Sequence, residues 1–179
     1  MDIHGEKLTD HIFEETYDRS ASLLVDMSDK FQIVDREETK KKVHRFDSNA
    51  DIYEIISYFL ELKSSNEPFY IVDLSEVKRR FMQWSKVLPR VEPFYAIKSN
   101  PDPMILYVLS KLGSGFDCAS KDEIILAKST GVPVENLLYA NPTKDQSSLQ
   151  FARSQDVDYL TFDSYCELDK IKLFHPDAK

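Results

Sequence analysis

Glycine is scarce in this chain. Only Gly5, Gly113, Gly115 and Gly131 occur, and no cluster of them could bring backbone amides around a phosphate, as such cradles usually require. Cysteine is scarcer still. Cys118 and Cys166 are too few for a disulfide framework and lack zinc-ligand spacing. The histidines, His4, His11, His44 and His175, are scattered without metal-ligand spacing. Positive charge is in deficit: 23 Lys and Arg stand against 31 Asp and Glu, a net charge of -8. That argues against nucleic-acid binding, which needs a basic footprint, and gives an anionic membrane surface nothing to attract. No apolar run approaches the ~18 residues of a membrane span. The N-terminus, MDIHGEKLTD, is acidic and polar rather than a secretory signal. A reduced, cytoplasmic setting is the expectation.

What is present is an ordinary globular mixture, 42% hydrophobic and 30% charged over 179 residues. In the first 65 residues the periodicity is weak. ASLLVDM and FQIVD read as short strands, and Arg36 to Arg45 as a solvated charge run. Asn49 to Ser65 reads as an amphipathic helix, with Ile52, Ile55, Ile56, Phe59 and Leu60 at helical spacing and Asn49 or Asp51 as its cap. From residue 66 onward the texture is regular. PFYIVDL reads as a strand, followed by a helix with Val77, Phe81, Trp84 and Leu88 on one face. Four strands then alternate with helices: PFYAIKSN, SGFDCAS, NLLYANP and YLTFDS. Phe94, Phe116, Leu138 and Leu160 recur every 22 residues. Met104, Ile105, Val108, Leu109 and Leu112 form one helical face. Ser120 with Glu123, and Ser164 with Glu167, fit capping boxes. Gly113 and Gly131 fall where helices should stop.

Short apolar strands alternating with helices at this spacing imply parallel βα units. The expected fold is α/β: a partial (β/α)8 TIM-type barrel, its first four βα units at 66–179, preceded by an α/β N-terminal segment at 1–65. An open doubly wound sheet is the competing architecture. A fifth strand is due at HPDAK. Half a barrel would leave an unpaired edge, so the expectation is a fragment, or a chain completed by a partner.

In such barrels, residues at the C-terminal ends of strands build the active site. Lys98 ends the strand Phe94 to Ile97. A lysine partly desolvated there loses proton affinity and becomes a nucleophilic amine, able to form Schiff bases with carbonyls. Asp117, Asn141 and Asp163 end the next three strands. Asp163 suits a helix cap. Asp117 lies three residues before Ser120, so it is the better candidate to face the mouth, where it would pair with Lys98 or orient a neighbouring cation. Glu123 belongs to the capping box and would reach a site only as outer support. Cys118 alternates away from Asp117 and should pack between strand and helix. Cys166 falls in a helix's first turn with no histidine near it in sequence.

These motifs carry a family resemblance. PFYAIKSN resembles the PFYAVKCN segment of eukaryotic ornithine decarboxylases, and GFDCASKDEI, GVPVENLLYANPTK, YLTFDS and HPDAK follow in the same order and spacing. The resemblance runs from about Pro68 to Lys179; the first 65 residues match poorly. It implies an alanine-racemase-type barrel with a C-terminal β domain, pyridoxal 5'-phosphate as cofactor, and an obligate homodimer with sites at its interface. Lys98 matches the lysine that holds the cofactor covalently, and Asp117 and Glu123 match acids near it. The implied reaction is decarboxylation of ornithine to putrescine in polyamine biosynthesis. The family's glycine-rich phosphate loop, stacking histidine, pyridinium-binding glutamate, catalytic cysteine and substrate acids have no counterpart in these residues, so the 179 residues alone are expected to be inactive. Ser99 and Thr143 replace usual cysteines. A sister decarboxylase acting on lysine, arginine or diaminopimelate is one alternative. A non-catalytic regulator of the antizyme-inhibitor kind is another, and the presence of Asp117 favours the enzyme. The region matching Gln146 to Asp169 binds antizyme in the family. Lys121 and Lys170 match two basic residues of that surface, while Gln150 and Leu173 replace two others.

Overall fold

The computed structural model of this chain describes residues 31–34, 43–46, 51–62 and 68–179. They divide into two compact units between Asp73 and Leu74. In the first unit, β1 (Phe31–Val34) pairs antiparallel with β2 (Val43–Phe46). Val43 to Arg45, the end of the charge run expected to be solvated, is therefore strand; the rest of that run, and ASLLVDM, lie outside the described residues. Helix α1 (Ile52–Leu62) falls within the stretch read as a helix; residues 49–50 and 63–65 of that stretch lie outside the described residues. Asp51 caps it, its Oδ1 accepting from Tyr53 N at 3.0 Å. Of its apolar stripe only Ile55 is buried; Ile52 and Leu60 are exposed.

One expectation fails outright. Pro68 to Asp73, the apolar run read as a strand, has no secondary structure. A strand exists only through its ladder, and this run has no ladder partner among the described residues. Tyr70 at its centre is 97% exposed.

The second unit is a right succession of βα elements. Helix α2 (Leu74–Val87) buries Leu74 and leaves Val77 and Phe81 half-buried. Trp84 on the same face is exposed, but its indole Nε1 donates to Val91 O at 2.8 Å, fixing the approach to the next strand. There follow β3 (Phe94–Ala96), α3 (Pro103–Lys111), β4 (Gly115–Cys118), α4 (Lys121–Ser129), β5 (Leu137–Tyr139), α5 (Gln146–Ser154), β6 (Tyr159–Leu160) and α6 (Tyr165–Phe174). The four strands form one parallel sheet in sequence order.

The register explains the barrel pattern. Equivalent positions recur every 22 residues, yet Phe94 pairs with Gly115, Phe116 with Leu137 and Leu138 with Tyr159, each 21 residues on. Each strand is thus staggered by one residue on its neighbour. Eight strands staggered so would accumulate the shear of about 8 at which a (β/α)8 barrel closes. At the far edge, Lys179 N donates to Asp158 O at 2.7 Å and Leu160 N to Lys179 O at 3.3 Å. The strand expected at HPDAK is not formed: His175 to Lys179 hold a turn, and Lys179 alone adds these two bonds to the edge of β6.

The two faces of the sheet differ. Phe116, Cys118, Leu137 and Tyr139 alternate onto one face and are fully buried with Ile97, Leu106, Ile124, Ala127 and Leu149 of the surrounding elements. Burial of each of the Phe, Leu and Ile side chains among them supplies about 1.5–3 kcal/mol. Phe94, Asp117, Leu138 and Tyr159 share the other face, and Phe94 and Tyr159 are exposed. Helix α3 departs from expectation: Met104 to Leu109 are all buried, not a single face.

Every helix that follows a strand is capped at the same end of the sheet. Asp102 accepts from Met104 N at 2.9 Å with Pro103 at the first position, and Asp145 from Ser148 N at 2.8 Å. Ser120 accepts from Glu123 N at 3.2 Å and Ser164 from Glu167 N at 3.3 Å. At the other ends, Gly113 (φ 91) and Gly131 (φ 77) close α3 and α4 in the left-handed region. Helix α5 closes the same way, but with Asp156 at φ 60.

Candidate functional site

The C-terminal ends of the four strands and the caps of the four following helices make one polar rim. Lys98 lies on it, on a 3-10 turn (Ile97–Ser99) directly after β3. The turn is pinned from below by Ile97, which is 0% exposed. It is tied from the sides by Ser99 Oγ donating to Ala96 O at 2.7 Å and Tyr95 OH donating to Asn100 O at 3.2 Å. Lys98 itself is exposed and has no hydrogen bond or ion pair among the described residues. The partial desolvation expected of it is therefore absent.

Asp117 does not pair with Lys98, one of the two roles expected of it. Its ladder partners are Ala96 and Leu138, so it stands two residues behind Lys98 along the strand direction and is half-buried. Glu123 is committed to α4. Its Oε2 accepts from Ala119 N at 2.6 Å while its own N donates to Ser120 Oγ. The reciprocal box thus closes one residue earlier than the usual pattern. Cys118 lies on the helix-facing side, as expected, and burial, aided by Glu123 and Asp117, pushes its thiol up to about 12. Cys166 is exposed. Among the described residues no group of three His, Cys, Asp or Glu could hold a metal ion. No helix among them is long and apolar enough to cross a membrane.

The sequence reading missed the most heavily bonded residue of the rim. Lys144, in the loop after β5, has a side chain 0% exposed. Its Nζ donates to Asn141 O at 2.8 Å and Thr161 O at 2.6 Å, and meets Glu167 Oε1 at 2.9 Å. Glu167, read only as half of a capping box, also accepts from Lys144 N at 3.1 Å and pairs with Lys170 at 2.7 Å. Burial pushes the Glu167 carboxyl up, but the hydrogen bonds from Lys144 and Lys170 outweigh it and hold it below its ordinary value. Of the two basic residues matched to the regulatory surface, Lys170 is thus engaged with Glu167, and Lys121 Nζ donates to Ser147 Oγ at 2.6 Å. Nothing in the local pattern NPTK distinguishes Lys144 from a surface lysine.

The three described glycines all serve the fold. Gly113 and Gly131 end helices, and a Cβ on Gly115 would lie 2.6 Å from the Phe94 ring. None is free to build a phosphate cradle.

Residues 74–179 match the family described as pyridoxal-dependent decarboxylase, pyridoxal binding domain. The chain is 45% identical over 119 residues to the ornithine decarboxylase of Caenorhabditis elegans, covering 66% of this chain and 28% of that protein. Among solved structures it resembles the Paramecium bursaria Chlorella virus arginine decarboxylase, with TM-score 0.69, 35% identity, and coverage of 72% of this chain and 35% of that one. It also resembles the ornithine decarboxylase of Entamoeba histolytica, with TM-score 0.65, 32% identity, and coverage of 70% and 39%. The chain therefore spans roughly a quarter to two fifths of these relatives.

Proposed function

The chain belongs to the pyridoxal-dependent decarboxylases, and on that premise we propose that the protein acts in the decarboxylation of L-ornithine to putrescine, with Lys98 as the residue that binds pyridoxal 5'-phosphate. The observation that carries this reading is the placement of Lys98. A primary amine stands exposed at the C-terminal end of a parallel strand, on a turn held rigid by buried Ile97 and free of any competing partner among the described residues. The residues present fit the anchoring end of the cofactor and supply no cradle for its phosphate.

When bound, pyridoxal phosphate supplies an electron sink for the bond to the departing carboxylate. The work left to this chain is positional. Ile97 fixes where the amine emerges. Asp117 keeps a carboxylate on the open face of the sheet, one strand away. Glu123 acts through α4, by fixing the Ala119 amide and so the end of β4.

Homodimerisation with sites at the interface, and a cytoplasmic location, belong to the same reading. A second reading, action on arginine or lysine, is kept open by the likeness to the viral arginine decarboxylase. Carboxyl-labelled ornithine, lysine and arginine, each offered with pyridoxal phosphate, separate the two. A form carrying a complete barrel should release CO2 from ornithine and lose that activity with Lys98→Ala. The 179 residues alone should release none. Release that survives Lys98→Ala overturns the assignment.

A further inference from the structure

We propose that Lys144 and Glu167 form an internal brace that positions the rim of the site, with Lys144 acting through Asn141 and Thr161. The pair joins three otherwise separate segments: the loop after β5, the end of β6 and the first turn of α6. Lys144 Nζ uses all three of its protons, on the backbone carbonyl after β5 (Asn141), the carbonyl at the end of β6 (Thr161), and Glu167 in the first turn of α6. It also lies 6.0 Å from the centroid of the Tyr139 ring in β5. The effect extends one strand further. Asn141, held by its carbonyl, directs its side chain to the end of β4 and to its own loop: Nδ2 donates to Ala119 O at 3.4 Å and Oδ1 accepts from Thr143 N at 3.1 Å. Ala119 N in turn donates to Glu123. The ends of β4, β5 and β6 are thus linked by one continuous chain of hydrogen bonds, with Lys144 as the branch point.

Why a buried ion pair should stand here follows from what it does. An apolar pair of similar volume is often as stable as a buried salt bridge, or more so. Such a pair would fill the space, but it could not donate to the Asn141 and Thr161 carbonyls. Stability and rim geometry are therefore separable properties, and the brace supplies the second. The inference rests on the geometry alone and holds whatever the site binds.

The test uses the full chain, with thermal unfolding and residue-resolved amide exchange measured together. Lys144→Met should lower the midpoint and leave Glu167 buried without its main partner. It should speed exchange at the amides of Thr143 and Thr161 by about tenfold, the loss of roughly one charge-assisted hydrogen bond. Adding Glu167→Met should restore the midpoint while exchange at Thr143 and Thr161 stays fast. Should Lys144→Met fail to fold, Glu167→Gln, which keeps the shape, should show the same local acceleration. Recovery of protection together with the midpoint in the double variant overturns the proposal, because the pair would then only fill space. So does unchanged exchange at both amides in the single variants.

Discussion

Ile97 and Lys98 are adjacent, yet substitution to alanine should separate them by several kcal/mol. Ile97 is 0% exposed and sits under the turn that presents Lys98. Ile97→Ala removes three carbons, worth about 2.4 kcal/mol at ~0.8 kcal/mol per buried group. The neighbouring elements are held by their own contacts: β4 by its ladder to β5, α4 by its cap on Ser120. They cannot collapse fully into the space, so a cavity contribution adds, bringing the total to about 3–4 kcal/mol. In a chain of this size that lowers the midpoint by roughly 10 °C. Lys98→Ala, at an exposed position without partners among the described residues, should stay within about 0.5 kcal/mol of the parent. Urea unfolding of the two variants beside the parent measures both. Ile97→Val, losing one carbon, should fall between, at about 0.5–1.5 kcal/mol. An Ile97→Ala loss below about 0.5 kcal/mol would refute the claim that this side chain anchors the turn, and a large loss for Lys98→Ala would show that the lysine has a structural partner.

Three further outcomes follow from the same geometry. Asp156 takes φ 60 at the end of α5, where α3 and α4 use glycine, so Asp156→Gly should stabilise the chain by up to about 1 kcal/mol in thermal unfolding; destabilisation would mean its side chain has a role the backbone does not explain. Native-state alkylation near pH 8 should label exposed Cys166 and spare Cys118, whose buried thiol is pushed up to about 12, as peptide mapping would reveal; rapid labelling of Cys118 would contradict its packing between sheet and helix. Glu167 is held below its ordinary carboxyl value when folded, so its contribution to stability is fully present above about 4.5 and fades as pH falls through the depressed folded value. Glu167→Gln should therefore flatten the acid limb of a stability-against-pH curve, and an unchanged limb would remove Glu167 from that account.

The sequence made the repeat legible because it is local. Strand runs, capping serines and helix-ending glycines each lie within a few residues of what they control, and all four strands of the parallel sheet appear where the 22-residue spacing put them. What needed a partner was harder to read. PFYIVDL has every compositional mark of a strand, but a ladder depends on a neighbour the run itself does not specify. The candidate site divides the same way. Lys98 is a candidate because a strand-end lysine is a positional signal, whereas its exposure depends on how the following turn closes. Its missing ion pair with Asp117 reflects a stagger that places Asp117 opposite Ala96. Lys144 and Glu167 were passed over because this buried ion pair is made by a loop meeting the first turn of a helix, 23 residues apart in sequence.

The account turns on Lys98 as the covalent anchor for pyridoxal phosphate. The direct measurement is to incubate the protein with pyridoxal phosphate, reduce with borohydride, digest, and map the modified peptide. The account predicts the pyridoxyl group on Lys98, in the peptide containing FYAIK, and its disappearance in Lys98→Ala. Preferential labelling of any other lysine, with Lys98 unmodified, would contradict it.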